Sequence, residues 1–217
     1  AWCHNPESQA MPTQSESYNI ESAAAFLMAR IEKDRIFYDE SCGGVTFSGG
    51  EPLSQPDLVF MLADRCRNQG IHTCLDTSGA ASFDILKTVC EKVDLTLYDI
   101  KLIEDEDHVA LTGQSNSRIL KNLSNLSELK VPILLRLPSI PGMTDTKRNI
   151  NGLISFVKEN TIYRDIHILP FHRAAEGKYE TLGIANRLKN IAIPSKKQVA
   201  NTVSMFESKG FNVTTGG

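Results

Sequence analysis

The chain has 217 residues, 41% of them hydrophobic, with a formal charge of −3 at pH 7. That length buries a sizeable core as one domain, and without a basic run such a charge argues against nucleic acid as the partner. No apolar run approaches the ~20 residues a membrane span requires, and the polar opening residues carry no signal-peptide pattern. The five cysteines, Cys3, Cys42, Cys66, Cys74 and Cys90, are odd in number and scattered. This pattern fits reduced thiols in a cytoplasmic protein, not a disulfide framework.

Residues 1–18 are irregular and polar and read as a loop and linker, leaving residues 19–217 as the folded domain. From Ile20 to Lys33 the apolar residues Ile20, Ala24, Leu27, Met28 and Ile31 recur at helical spacing. Ser41-Cys42-Gly43-Gly44 closes that unit and feeds a strand over 45–48. A second helix runs from Pro56 to Gln69, with proline at its start and Gly70 just past its end. A strand over 71–75, a helix over 82–92 and a strand over 93–98 follow. The acids Glu104 to Asp107 open another helix, where their charge suits the positive N-terminal end. Helices over 117–130 and 147–159 flank a strand over 133–137, and a strand over 165–169 comes next. The last helix starts with the capping-box pair Ser195 and Gln198, stops at Gly210, and leads to a strand over 211–215.

Strands separated by helices indicate parallel βα units, arranged either as a barrel or as a doubly wound sheet. In both architectures ligands gather at the C-terminal strand ends. Here those ends carry Gly49, Gly50, Glu51, Asp76, Ser78, Asp99, Lys101, Arg136 and His172. The first of them, Val45-Thr-Phe-Ser-Gly-Gly-Glu-Pro-Leu53, stops a strand at two glycines, where a ligand can approach bare backbone. A lone Gly-Gly pair is ordinarily a turn, but polar residues closing five successive strands form a site.

At the start stands Trp2-Cys3-His4-Asn5-Pro6. This segment resembles the end of the radical S-adenosylmethionine signature, in the Cys-x-Trp-Cys-His-Asn-Pro-Glu form of the glycyl-radical-enzyme activating enzymes. The resemblance continues through Phe47-Ser-Gly-Gly-Glu-Pro52, His72-Thr-Cys-Leu-Asp-Thr-Ser-Gly79 and Tyr98-Asp-Ile-Lys101. It extends over His108-x3-Thr112-Gly113-x2-Asn116, Leu135-Arg136 to Pro141-Gly142, and Leu169-Pro-Phe-His172.

The resemblance implies a partial (β/α)6 TIM-like barrel and a [4Fe-4S] cluster held by three thiolates, with S-adenosylmethionine on the fourth iron. One electron then cleaves S-adenosylmethionine, and the resulting radical takes a hydrogen atom from a glycine of a partner glycyl radical enzyme. Pyruvate formate-lyase or a similar enzyme is the expected partner, flavodoxin or ferredoxin the expected electron donor, and an anaerobic cytoplasm the setting. Carried over, Cys3 is the third cluster thiolate and Trp2 packs on the adenine. Gly49, Gly50 and Glu51 receive the methionine amino group, with Ser78 in the same cofactor site. Asp76 and Lys101 lie near the methionine and the peptide entry, and His172 contacts ribose or adenine. Arg136 offers its planar fork to the carboxylate, against the plainer alternative of an ion pair with Asp99. Asp76 and Asp99 could together hold a monovalent cation, since two neighbouring carboxylates need a counter-charge. Cys42, Cys66, Cys74 and Cys90 are read as ordinary buried thiols.

Two features depart from the family pattern. The other two signature cysteines, and a first strand before them, are expected upstream of Ala1, so the barrel is expected to lack that strand. With Cys3 alone, this chain is expected to be catalytically incompetent. No cysteine lies between positions 4 and 41, where many relatives carry a Cys-rich ferredoxin-like insert. The alternatives are a non-catalytic βα domain that binds S-adenosylmethionine or a partner, and a radical enzyme acting on a small molecule.

Overall fold

A computed structural model describes residues 19–216. Six parallel strands form one sheet in the order β1 (Gly44–Phe47), β2 (His72–Thr77), β3 (Leu95–Asp99), β4 (Ile133–Ser139), β5 (Asp165–Pro170) and β6 (Asn212–Thr215). Spatial order equals chain order, so every crossover steps in the same direction and the described residues form no switch point. A doubly wound sheet reverses its strand order; this one winds as a barrel wall does. β1 and β6 pair on one side each, which leaves the wall open among the described residues.

Alternation along the strands separates two faces. Leu75, Tyr98, Leu135, Leu137, Ile166 and Ile168 point to the outer face and are fully buried. Against them pack α1 (Ile20–Ile31), α3 (Pro56–Asn68), α4 (Phe83–Cys90), α6 (Ser117–Glu128), α7 (Lys147–Asn160) and α9 (Lys196–Glu207). Burying each such side chain stabilises the fold by about 1.5–3 kcal/mol. The opposite residues, among them Asp76, Leu97, Asp99, Arg136 and His167, are only partly buried and line the concave side.

The first helix ends at Ile31, short of Lys33, in a single 3-10 turn. A helix that the apolar pattern did not announce follows, α2 (Arg35–Ser41). It buries no residue, and Ile36 and Phe37 are exposed, so no amphipathic stripe marks it. The short α8 (Glu176–Thr181) was missed as well. Strands β2, β4 and β5 run further than expected, to Thr77, Ser139 and Pro170. The acids do open α5 (Asp105–Thr112), and the Ser195–Gln198 capping box forms at the start of α9. Cys66 and Cys90 are buried, which pushes each thiol up to about 11, and Cys74 is half-buried. Cys42 departs from the expectation: it caps α2 in the left-handed conformation and is exposed.

Candidate active site

The C-terminal strand ends surround a cleft of about 430 Å3, within the range typical of small-molecule sites. Its lining includes Gly49, Gly50, Glu51, Asp76, Ser78, Asp99, Lys101, Arg136 and His172, so nine of the sequence-derived candidates meet in one place. Trp2 and Cys3, together with the linker over 1–18, lie outside the described residues.

A chain of charges crosses the cleft. Arg136 donates from Nη2 to Asp76 Oδ1 at 2.5 Å and from Nε to Asp99 Oδ1 at 2.9 Å. Lys101 Nζ donates to Asp99 Oδ2 at 3.0 Å, and Ser48 Oγ donates to Asp76 Oδ2 at 3.0 Å. The register explains the meeting, because Asp99 pairs with Arg136 across β3 and β4 and both project to the concave side. Arg136 forms the ion pair with Asp99 and extends it to Asp76. All four carboxylate oxygens are engaged, with Arg136 and Lys101 supplying counter-charge.

The two carboxylates respond in opposite directions. Burial pushes the Asp76 carboxyl above its ordinary range; Arg136 pulls it back only in part, and Asp99 adds to the rise. Burial also penalises the Asp99 charge, but Lys101 and Arg136 outweigh it and hold that carboxyl below its ordinary range.

The Glu51 carboxylate accepts four hydrogen bonds from within the chain. Its Oε1 accepts from Thr77 Oγ1 at 2.6 Å and from the Leu53 amide at 3.3 Å. Its Oε2 accepts from the Ser78 amide at 3.0 Å and Ser78 Oγ at 2.7 Å. The side chain therefore clips the loop after β1 to the loop after β2, and Ser78 serves the clip. Backbone at Gly49 and Gly50 faces the cleft; Gly49 has φ +134°, a conformation that favours glycine. His172 lines the cleft on the far side, its Nδ1 accepting from the Ala174 amide at 3.2 Å.

Three further residues near the cleft were not among the candidates named from the sequence. Ser48 and Thr77 support Asp76 and Glu51. His167 stands in register with Arg136 on β5, and burial, followed by repulsion from Arg136, lowers its pKa. Counting alternate positions back from Leu169 would have put it on the concave face.

Residues 1–151 match the Radical SAM superfamily. The chain is 39% identical over 194 residues to the trans-4-hydroxy-L-proline dehydratase activating enzyme of Clostridioides difficile, an alignment covering 88% of this chain. It spans 64% of that relative's length. It is 32% identical over 215 residues to a pyruvate formate-lyase-activating enzyme of Staphylococcus aureus, covering 96% of this chain and 84% of the relative. A crystal structure of a domain of pyruvate-formate lyase-activating enzyme from Bacteroides vulgatus superposes with a TM-score of 0.67 at 28% identity. That match covers 81% of this chain and 99% of the other. The chain belongs to the radical SAM superfamily, among its activating enzymes.

Proposed function

We propose that this chain is the barrel body of an activating enzyme that binds S-adenosylmethionine in the cleft and acts on a glycine of a partner glycyl radical enzyme. The observation that carries the reading is the chain of charges from Asp76 through Arg136 and Asp99 to Lys101, in a cleft that Gly49 and Gly50 also line. A ligand with an amino group, a carboxylate, a sulfonium and a ribose needs both acceptors and cations at close quarters, and this cleft has both.

The fit differs between the two cofactors. The cleft is polar, concave and of the right order of size for S-adenosylmethionine. Among the described residues no group of three or more His, Cys, Asp or Glu side chains could hold a metal ion. In this proposal the [4Fe-4S] cluster is therefore held by Cys3 and two thiolates outside the described residues, with Trp2 against the adenine. When bound, the cluster supplies the electron that cleaves S-adenosylmethionine, whose radical fragment takes the hydrogen atom from glycine.

The residues of the chain hold and orient. Backbone acceptors at Gly49 and Gly50 receive the amino group, in a loop that Glu51 keeps in place by its four hydrogen bonds. Asp76 and Asp99 place negative charge where the sulfonium lies, and Arg136 prevents the pair from repelling. Lys101 stands at the peptide entry, and His172 borders the ribose side. The partner is proposed at the level of its class, since identity is higher to a dehydratase activator than to a pyruvate formate-lyase activator. Flavodoxin or ferredoxin as electron donor, and an anaerobic cytoplasm, complete the proposal.

The test is product release. The full-length protein, reconstituted anaerobically and reduced, should release 5′-deoxyadenosine in a manner that depends on a glycine-loop peptide. Binding of S-adenosylmethionine without any 5′-deoxyadenosine would leave a binding domain instead. Release that depends on a small molecule and not on the peptide would reassign the substrate.

A further inference from the structure

Between β3 and α5 the chain passes through Lys101, Leu102 and Ile103 in neither helix nor strand, and their backbone polar groups need other partners. Two buried asparagines supply them. Asn149, on the first turn of α7 and 4% exposed, donates from Nδ2 to the Lys101 carbonyl at 2.9 Å and to the Thr144 carbonyl at 2.8 Å. Its Oδ1 accepts from the Ile103 amide at 2.8 Å. Asn116, the N-cap of α6 and 3% exposed, donates from Nδ2 to the carbonyls of Leu102 and Ile103, both at 2.8 Å. Three consecutive carbonyls and one amide are thus held by side chains from two different helices. The amide orientation of Asn149 is fixed by chemistry, because Ile103 offers an N–H and the other two partners offer oxygens.

Packing reinforces the hold. Gly152, one turn further along α7, lies so close that a Cβ there would sit 2.7 Å from Ile103 Cγ2. Thr144, fully buried, donates from Oγ1 to the Pro138 carbonyl at 2.5 Å and accepts from the Ile140 amide at 2.7 Å. Asn149 therefore ties the loop carrying Lys101 to the loop that follows Arg136's strand.

We infer that Asn149 and Asn116 are positioning residues: together they form a latch that sets where the Lys101 ammonium stands relative to Asp99 and the cleft. Neither touches the cleft's charges directly. Both act through the backbone of residues 101–103, a few bonds from a side chain whose Nζ lies 3.0 Å from Asp99 Oδ2. Shifting such a segment by about 1 Å can cost a bound ligand or a reaction up to roughly a hundredfold. The inference rests on the cleft being the S-adenosylmethionine site proposed above.

An internal control is available. Asn122 on α6 is equally buried, at 3%, and also donates two bonds to loop carbonyls, those of Gly79 at 2.8 Å and Ala81 at 3.0 Å. It holds the loop after β2, through Gly79 and Ala81, and not residues 101–103.

The experiment is nuclear magnetic resonance of the full chain with labelled lysine, following the Lys101 ammonium, assigned with Lys101→Arg. In the wild type this ammonium should exchange slowly with water because it is held on Asp99. Asn149→Ala should abolish the slow exchange, and Asn116→Ala should do the same by releasing the neighbouring carbonyls. Asn122→Ala should lower the melting temperature yet leave the Lys101 signal in place. In the full-length reconstituted enzyme, Asn149→Ala should weaken S-adenosylmethionine binding by roughly tenfold or more. An unchanged Lys101 signal in both Asn149→Ala and Asn116→Ala, or an equal loss in Asn122→Ala, overturns the latch. Should Asn149→Ala not fold, Asn116→Ala alone decides between those outcomes. Failure of S-adenosylmethionine to bind the wild type would sink the functional reading, while the lysine signal would still decide the latch.

Discussion

Arg136 and Asp99 face each other across one rung of the β3–β4 ladder, with Nε 2.9 Å from Oδ1, and the cleft's electrostatics follow from that pairing. Their side chains are 18% and 16% exposed, so the pair is largely withdrawn from water. Removing Arg136 leaves Asp99 with Lys101 and Asp76 with the Ser48 hydroxyl, and an under-compensated, largely buried carboxylate costs more than the pair itself contributes. Arg136→Ala should therefore destabilise the protein by about 3 kcal/mol. Denaturant unfolding of the described domain would check this, and a loss below 1 kcal/mol would show that the bridge is solvated in solution.

The same network dictates a pH dependence with a definite sign. Asp99 is held below its ordinary pKa, so its contribution to stability is present above the unfolded value of about 3.9 and disappears as pH falls through the depressed folded value. The stability difference between wild type and Asp99→Asn should therefore be full at neutral pH and shrink in strong acid. Asp76 runs the other way: its folded pKa is raised, so its contribution fades as pH rises through that value. Unfolding curves at a series of pH values for Asp99→Asn and Asp76→Asn would show the opposite slopes.

Glu51 makes a prediction that separates clip from ligand contact. Glu51→Gln keeps the shape but replaces a carboxylate oxygen that accepts from both the amide and the hydroxyl of Ser78, or one that accepts from Thr77 and Leu53, with a donor. Losing charge-assisted hydrogen bonds should cost about 2 kcal/mol of stability. Protease sensitivity should increase at residues 48–51 and 78–81 together. Loss of S-adenosylmethionine affinity with unchanged stability would instead mark Glu51 as a direct contact.

Gly79 tests how tightly the outer face is closed behind the site. It has φ +72°, and a Cβ there would sit 1.9 Å from Tyr98 Oη, which donates to the Ile119 carbonyl at 2.7 Å. Gly79→Ala should cost about 3 kcal/mol, combining backbone strain and overpacking. Gly70→Ala is the control, with φ +68° and open space around it, and should cost only about 1 kcal/mol. Equal losses would mean that Tyr98 yields without cost.

Much of the cleft was legible because polar residues at strand ends break an otherwise apolar pattern. Asp76, Asp99, Lys101 and Arg136 stood out in that way, and strand order alone brought them together. Their partners were not legible. Whether Arg136 binds a ligand carboxylate or bridges two aspartates depends on register and side-chain reach, which spacing along the chain does not encode. The family resemblance put Glu51 in the amino-group site; its clip to Thr77 and Ser78 was not legible, because it exists only once β1 and β2 are paired. Helix α2 escaped notice because it buries nothing, and a helix without an apolar stripe leaves no periodic mark. The alternation of elements left barrel and doubly wound sheet open; the family resemblance pointed to the barrel, and the strand order bears it out.

The central claim is that this barrel serves a cluster-bound S-adenosylmethionine. Electron paramagnetic resonance of the reduced, anaerobically reconstituted full-length protein, recorded with and without S-adenosylmethionine, tests it most directly. The account predicts a [4Fe-4S] signal that changes on adding S-adenosylmethionine and that Cys3→Ala abolishes. A cluster signal indifferent to S-adenosylmethionine, or one retained in full by Cys3→Ala, would contradict it.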